Sequence, residues 1–311
     1  MPASKDSTAL TIMDSPSPVT DYENLGDAFA VAAAHPPRRG PDPRVTIVVP
    51  AKNEAPNLRE ILPELPPVHE VLVVDADSGD GTPEVARAAL PGVRVIRQTR
   101  RGKGNALACG FHAASGDVIV MFDADGSADP GEIPRFVEAL TGGADFAKGT
   151  RFAPGGGSHD ITHLRAAGNA GLNRLSNTLF SAGFTDLCYG YNAFWRDLVP
   201  MLNLPPVFDP AGEEMLWGDG FEIETVINCR MAALGLWITE VPSVERRRLH
   251  GETNLRTFAD GGRVLRTLVA EWQRVGSQRR TRRFGLFAPE PTMDTVDTPA
   301  APALETGVPE A

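Results

Sequence analysis

The chain has 311 residues, of which 42% are hydrophobic and 23% charged, and it carries 30 Lys+Arg against 40 Asp+Glu for a formal charge of −10. That length and composition describe a folded globular protein with room for one large domain or two smaller ones, and they exclude a wholly disordered chain. No apolar run approaches the roughly 18–20 residues of a membrane span.

Six acids and three bases lie in residues 1–43, and five acids with no base in residues 284–311. Residues 44–283 therefore keep 29 acids and 27 bases, a net of −2, so most of the acidity belongs to the two ends. Both ends are rich in Pro, Ala, Ser and Thr without sustained periodicity, and are expected to be disordered tails. The longest early apolar run, Ala28–Ala34, is short and lacks a basic flank, so no signal peptide is expected. Cys109, Cys188 and Cys229 are widely spaced with no C-x-x-C pair, which argues against a disulfide framework or zinc site and suits a reducing cytoplasm.

Between the tails, β-branched runs alternate with helical patterns, the signature of a mostly parallel α/β sheet covered by helices on both faces. Strands are predicted at 45–49, 70–75, 93–97, 117–122 and 145–148, with helices at 54–65, 83–90, 104–114 and 131–140. Pro56 and Pro83 suit helix starts, where a missing N–H costs least. After residue 150 a glycine-rich loop (153–158) precedes a helical stretch at 165–182, then a strand at 189–195, a helix at 221–234 and a strand at 236–244. A last helix over 260–275 places Val264, Leu265, Leu268, Val269 and Trp272 on one face. Trp195, Trp217 and Trp237 are expected in the core. The domain reading is a nucleotide-sugar-binding half (44–150), an acceptor-binding half (151–258), an amphipathic helix with a basic end (259–283) and the two tails (1–43 and 284–311).

Nearly every early strand ends in polar residues, and ligands of open parallel sheets bind beyond the strands' carboxyl ends. The first ends Val-Val-Pro-Ala-Lys-Asn-Glu (Val48–Glu54), without the G-x-G-x-x-G of a dinucleotide fold. It also lacks the Gly-rich, Lys-bearing loop of a sugar-phosphate nucleotidyltransferase. The second ends Val-Val-Asp-Ala-Asp-Ser-Gly-Asp-Gly-Thr (Val73–Thr82); Asp75 suits a ribose or base contact, Asp80 a helix cap. The fourth ends Met-Phe-Asp-Ala-Asp-Gly-Ser (Met121–Ser127). Two carboxylates past a buried strand need solvent, hydrogen bonds or a cation, and Mg²⁺ or Mn²⁺ shared with diphosphate oxygens would supply the last. A bare D-x-D also occurs in ordinary turns; its place among other acidic strand ends is what makes it informative. Arg100–Ala106 (Arg-Arg-Gly-Lys-Gly-Asn-Ala) lacks P-loop spacing, but its glycines and helix start suit approach to a nucleotide.

The ordered set Val48–Glu54, Val73–Thr82, Gly102–Ala106, Asp123–Asp125 and Gly149–Arg151 resembles the family 2 glycosyltransferases, over about residues 44–258. Lys148–Phe152, Asp186 with Gly190–Phe194, Gly220–Glu224 and Arg248–Leu255 narrow the resemblance to the dolichyl-phosphate mannose synthase and polyprenyl-phosphate glycosyltransferase branch. The resemblance implies a GT-A fold and inverting transfer of a hexose from a UDP- or GDP-sugar. It implies that Pro50, Glu54, Asp75 and Asp77 cradle the nucleoside, with Lys52 and Lys103 also on the donor, and that Asp123 and Asp125 hold the ribose and a metal–diphosphate. Arg151 would meet anionic groups near the sugar. Arg248, His250 and Thr253 would meet donor or acceptor phosphate, His250 also being a candidate third metal ligand. Lys52, Ser127 and Asn254 depart from the branch, which often has Tyr, Gln and Lys there. The last two departures bear on the acceptor rather than the fold.

A hydroxyl acceptor needs a carboxylate to take its proton, whereas a phosphate acceptor needs little base. Asp219, Glu222 and Glu224 are the candidate bases; Glu222 and Glu224 serve equally as caps or braces of the helix they open. The preferred acceptor is polyprenyl phosphate; the alternatives are a hydroxyl of a glycan or small metabolite, and a non-catalytic nucleotide-sugar-binding protein. Arg279, Arg280, Arg282 and Arg283 are read either as a soluble helix end or as a peripheral contact with anionic lipid on the cytoplasmic face. Nucleic acid is not an expected partner, because no basic stripe is interleaved with aromatics.

Overall fold

The structure, a computed structural model, describes residues 22–208, 214–251 and 257–285. Its elements in chain order are α1 (Leu25–Ala34), β1 (Val45–Ala51), α2 (Ala55–Ile61), β2 (Glu70–Asp75), α3 (Thr82–Ala89), β3 (Arg94–Arg97), α4 (Lys103–Ala113), β4 (Val118–Met121), α5 (Ile133–Thr141) and β5 (Phe146–Thr150). There follow β6 (Gly157–Ser158), α6 (His163–Phe180), β7 (Asn192–Trp195), α7 (Val199–Leu202), α8 (Ile223–Ala233), β8 (Ile238–Pro242), β9 (Val244–Glu245) and α9 (Thr257–Gly285). Among the described residues, those up to Gln273 form one compact unit and those from Arg274 belong to a second.

Seven strands make one sheet in the order β3-β2-β1-β4-β7-β5-β8. All neighbours are parallel except β7, which runs antiparallel to both β4 and β5. The division expected at residue 150 thus falls inside a single sheet, to which β7 and β8 contribute as fully as β1 to β5. β2 and β4 are buried along their whole length, which is why they read as continuous apolar runs rather than alternating ones. α4 lies so close to the sheet that a Cβ on Gly110 would strike Val48. Phe111 of α4 meets Phe194 of β7 edge to face at 5.2 Å.

Three expectations are corrected here. Residues 25–34, placed in a disordered tail, form α1: Asn24 Oδ1 caps it by accepting from Gly26 N–H at 2.8 Å, and Ala28 and Ala32 are buried. The preceding Glu23 bonds through its backbone to Val95 and through its carboxylate to Arg94 at 2.7 Å. A helix so short in Ala-rich sequence has a weak pattern of its own, and packing stabilises it. Second, Trp195 is buried but Trp217 and Trp237 are 41% and 62% exposed. Third, the face expected on the last helix is split. Leu268 is buried, while Leu265, Val269 and Trp272 point to solvent. The buried stripe of α9 instead carries Thr267 and Glu271, whose carboxylate receives the Arg230 guanidinium of α8 at 2.8 and 2.9 Å. Residues 286–311 of the expected C-terminal tail lie outside the described residues.

Candidate active site

Parallel pairing brings the carboxyl ends of β1, β2 and β4 to one edge. Ala51 sits in register with Asp75, and Val48 with Met121 two residues before Asp123. Asp75 is fully buried. Its Oδ2 accepts from Tyr22 Oη–H at 2.7 Å and from Ser78 N–H at 3.0 Å, while Oδ1 is buried with no hydrogen-bond partner. Burial and the Asp75 carboxylate together push the Tyr22 phenol up, so it stays a donor. A buried carboxylate oxygen without a partner is uncommon, and a ligand N–H or O–H is one group that would satisfy it.

The neighbouring residues build the walls. Lys52 Nζ donates to the Ala76 carbonyl at 2.8 Å, and Asp77, at φ 59°, pairs with Arg97 at 2.9 Å in solvent. Asp80 caps two helices at once, accepting from Thr82 N–H and Ala55 N–H at 3.0 Å each, in line with the capping role read from sequence. Pro50, the last residue but one of β1, lies beside Val74.

Four carboxylates and two cations converge beyond β4. Lys103 Nζ lies 2.7 Å from Asp123 Oδ1 and 2.6 Å from Glu224 Oε1. Burial alone would lower this ammonium, but the two carboxylates outweigh burial and raise it, so it is a fixed positive charge. Arg248 pairs with Glu54 through Nη2 and approaches Asp125 Oδ2 at 3.4 Å through Nη1. Asp125 Oδ1 accepts from Ser127 N–H at 2.9 Å, and the backbone of residues 125–127 is stitched to Arg246 and Leu249 at 2.8 and 3.0 Å. Gly126, at φ 78°, allows that contact, because a Cβ would enter the Leu249 side chain.

Residues 46–199 match the family model for glycosyl transferase family 2. The chain is 31% identical over 271 residues to a polyprenol monophosphomannose synthase of Mycolicibacterium smegmatis, an alignment covering 83% of this chain and 97% of that one. The chain is a family 2 glycosyltransferase. An undecaprenyl-phosphate mannosyltransferase of Micrococcus luteus is 32% identical over 244 residues, covering 74% of this enzyme and 96% of the relative. A crystal structure of glucosyl-3-phosphoglycerate synthase from Mycobacterium tuberculosis with Mn²⁺, UDP-glucose and phosphoglyceric acid superposes with a TM-score of 0.58 at 22% identity. It covers 81% of this glycosyltransferase and 85% of that chain, which establishes the GT-A fold.

The fold of the glycosyltransferase places several expected site residues in ion pairs and hydrogen bonds of their own. Asp219 is fully buried, gripped by Arg100 Nε at 2.7 Å and Nη2 at 3.0 Å, and cannot reach an acceptor as a base. Arg151 is buried too. Asp186 takes its Nε and Nη2 at 2.7 and 2.9 Å, Glu245 takes Nη1 at 3.0 Å, and its plane stacks over Tyr189. It braces β5 against the loop before β7. Burial works against the Arg151 charge, but these acids hold its pKa above the ordinary value. Glu222 Oε1 accepts from Gly218 and Gly220 N–H at 2.9 and 3.2 Å, the bracing alternative. His250 turns its ring to Glu60 at 2.5 Å rather than to Asp123 or Asp125. Its backbone carbonyl accepts from Arg248 Nε at 2.7 Å. Thr253 lies outside the described residues.

Three residues matter more than the sequence indicated. Glu224, weighed only as a base or cap, is the acid the fold brings to Asp123 through Lys103. Arg100 was one basic residue of a glycine-rich segment, and Tyr22 fell in an assumed tail. Only the Arg100 segment carried a signal, an arginine pair before closely spaced glycines.

For a divalent cation, Asp123 and Asp125 fit as two of its oxygen ligands. Mg²⁺ is commonly held by one or two carboxylates plus substrate phosphates rather than by a full protein cage. Among the described residues no group of three or more His, Cys, Asp or Glu forms such a cage.

Proposed function

We propose that this glycosyltransferase moves a hexose from a UDP- or GDP-sugar to a polyprenyl phosphate. The observation that carries the reading is the convergence of Asp75, Asp123 and Asp125 on one sheet edge, with Asp75 Oδ1 buried and unpartnered. Asp75 would accept a base or ribose donor, with Pro50, Lys52, Glu54 and Asp77 around the nucleoside and Lys103 on the donor. Asp123 and Asp125 would hold Mg²⁺ or Mn²⁺, and the ion, when bound, stabilises charge on the departing diphosphate.

The acceptor is argued from the state of the three candidate bases. Asp219 is locked by Arg100, Glu222 by two backbone amides, and Glu224 by Lys103. A hydroxyl acceptor needs a base that can take its proton, and an acceptor phosphate does not. Arg248, partly exposed beside Asp125, is placed to meet phosphate oxygens. The two mannosyltransferase relatives, named for polyprenol and undecaprenyl phosphate products or substrates, support the same class of acceptor.

A lipid acceptor requires contact with a membrane. No described helix is long and apolar enough to cross one. Leu265, Val269 and Trp272 make an exposed apolar stripe on α9, beside Trp217 under Arg266 at 5.8 Å and Phe221 under Arg263 at 6.0 Å. Apolar and aromatic side chains interleaved with arginine suit the headgroup region of an anionic bilayer, and Arg279, Arg280, Arg282 and Arg283 extend the basic character in sequence. We place the enzyme peripherally on a cytoplasmic membrane face.

The test is product analysis with UDP- and GDP-hexoses, Mn²⁺ and a short polyprenyl phosphate. A hexosyl-phosphoryl-prenol is expected. Transfer to a soluble hydroxyl acceptor alone overturns the acceptor, and nucleotide binding without turnover on any acceptor overturns catalysis.

A further inference from the structure

Lys103 stands between the acids of the candidate metal site. Its ammonium bridges Asp123 and Glu224 at 2.7 and 2.6 Å, two residues along the chain from the Asp125–Arg248 pair. The cluster holds four carboxylates (Glu54, Asp123, Asp125 and Glu224) against the two cations Lys103 and Arg248. Its deficit of two positive charges is that of one divalent ion. An ion arriving alone nevertheless meets an ammonium already seated on Asp123, and two cations on one carboxylate repel each other.

The backbone that carries Lys103 cannot withdraw. Gly102 and Gly104 flank it at the start of α4, and a Cβ on either would collide with the Gly218–Asp219 backbone. Asn105 N–H also donates to the Asp219 carbonyl at 3.1 Å. Arg100 and Asp219 clamp the same junction. Any repositioning of the ammonium must therefore come from rotation about the four-carbon stem of Lys103. Glu224, on the first turn of α8, is the second anchor that lets the ammonium let go of Asp123 without losing all of its partners.

We propose that Lys103 is a place-holding counter-ion that makes metal binding conditional on the nucleotide. When the donor diphosphate enters, the ammonium moves from Asp123 toward phosphate oxygens, keeps Glu224, and frees Asp123 for the ion. Metal and nucleotide then bind with positive coupling, and linkage requires the coupling to be the same in both directions. This inference rests on the reading that Asp123 and Asp125 hold the cation.

The experiment measures Mn²⁺ affinity by calorimetry or by the free-ion electron paramagnetic resonance signal, on the full chain, alone and saturated with UDP or GDP. In the wild type Mn²⁺ alone should bind weakly, and one nucleotide should tighten it by about 5–150-fold, the usual range of a coupling. Lys103→Met should bind Mn²⁺ alone about tenfold more tightly and lose most of the coupling, with the gain and the loss of similar size. Lys103→Arg, which keeps the charge, should stay near the wild type. If Lys103→Met does not fold, Glu224→Gln carries the test: with Asp123 as its remaining partner, Lys103 should weaken binding of Mn²⁺ alone and enlarge the coupling. Unchanged or weaker nucleotide-free Mn²⁺ binding by folded Lys103→Met overturns the inference, since a brace or a simple phosphate contact predicts that result. A wild type that fails to bind Mn²⁺ even when saturated with UDP or GDP overturns the metal reading itself.

Discussion

Arg100 and Asp219 form a fork-to-fork ion pair, 2.7 and 3.0 Å long, between the start of α4 and the loop before α8, with both side chains out of water. The pair also sits where Asn105 and Leu216 bond to Asp219, through its backbone carbonyl and Oδ2 respectively. Breaking one partner of such a buried pair typically costs about 3–5 kcal/mol, because the other charge is left without compensation. Asp219→Ala should therefore lower unfolding free energy by about that amount in urea titrations. The pH profile of any remaining activity should keep its shape. A variant of wild-type stability that has lost turnover would return Asp219 to the role of base.

Asp125→Ala should leave the fold intact, since Asp125 is partly exposed and accepts from one local amide and from Arg248 over a long 3.4 Å contact. Loss of a Lewis-acid ligand removes several kcal/mol of leaving-group stabilisation, so turnover should fall about a thousandfold. Steady-state rates over a Mn²⁺ titration check this, and full turnover by the variant contradicts the site.

Two glycine substitutions should act in opposite directions. Gly104 has the Gly218 carbonyl where a Cβ would go, and backbone on both sides leaves nothing to yield. Gly104→Ala should destabilise by about 1–3 kcal/mol and weaken nucleotide binding through displacement of Lys103. Gly171, inside α6, has open space around it, and Gly171→Ala should stabilise by about 0.5–1 kcal/mol through helix propensity. Thermal and urea melts of both variants decide the pair.

Asp117 supplies the acid dependence. Burial opposes its charge, but bonds from Arg44 Nη2 at 2.8 Å and from the Arg44 and Arg38 amides at 2.9 Å bring its pKa down to about 2. A carboxylate with a depressed folded pKa stabilises above its unfolded value, near 4, and loses that contribution as pH falls toward 2. Wild type should exceed Asp117→Asn by about 2 kcal/mol at pH 7. The gap should close between pH 4 and pH 2 in urea titrations. A gap independent of pH would assign the effect to packing.

Membrane contact through α9 is tested by sedimentation with vesicles. Leu265→Ser and Trp272→Ser each remove an apolar group worth about 1.5–3 kcal/mol on full burial, so affinity for anionic vesicles should drop about tenfold or more per substitution. Melting temperature should hardly change, because both side chains are exposed. Equal binding of wild type and variants would remove α9 from the contact.

Much of the frame was readable from residues alone. The prediction of a strand over Glu70–Asp75 coincides with β2 to the residue, because a strand buried on both faces must be apolar throughout. The acids after β1, β2 and β4 could be assigned to one edge, since parallel strands put their carboxyl ends together. α1 escaped notice because its ten residues are held by tertiary contact rather than by their own pattern. The exposed stripe of α9 escaped for a related reason. Periodicity identifies an apolar face but not which face a neighbour covers, and Arg230 drew the Glu271 side inward.

The sequence by itself determined the fold class, the glycosyltransferase family and the acid-tipped strands, because these depend on local apolar runs and on motifs in a fixed order. Tertiary structure alone decided the standing of each charge. Arg100 reaches Asp219 across 119 positions, and Arg248 reaches Glu54 across 194. A carboxylate's chemistry depends on which cation faces it in a low-dielectric setting, and no local pattern records an encounter at that separation. Asp219 and Arg151 entered buried ion pairs, Glu224 became the partner of Lys103, and Asp75 kept one buried oxygen unpaired, all by the same long-range packing.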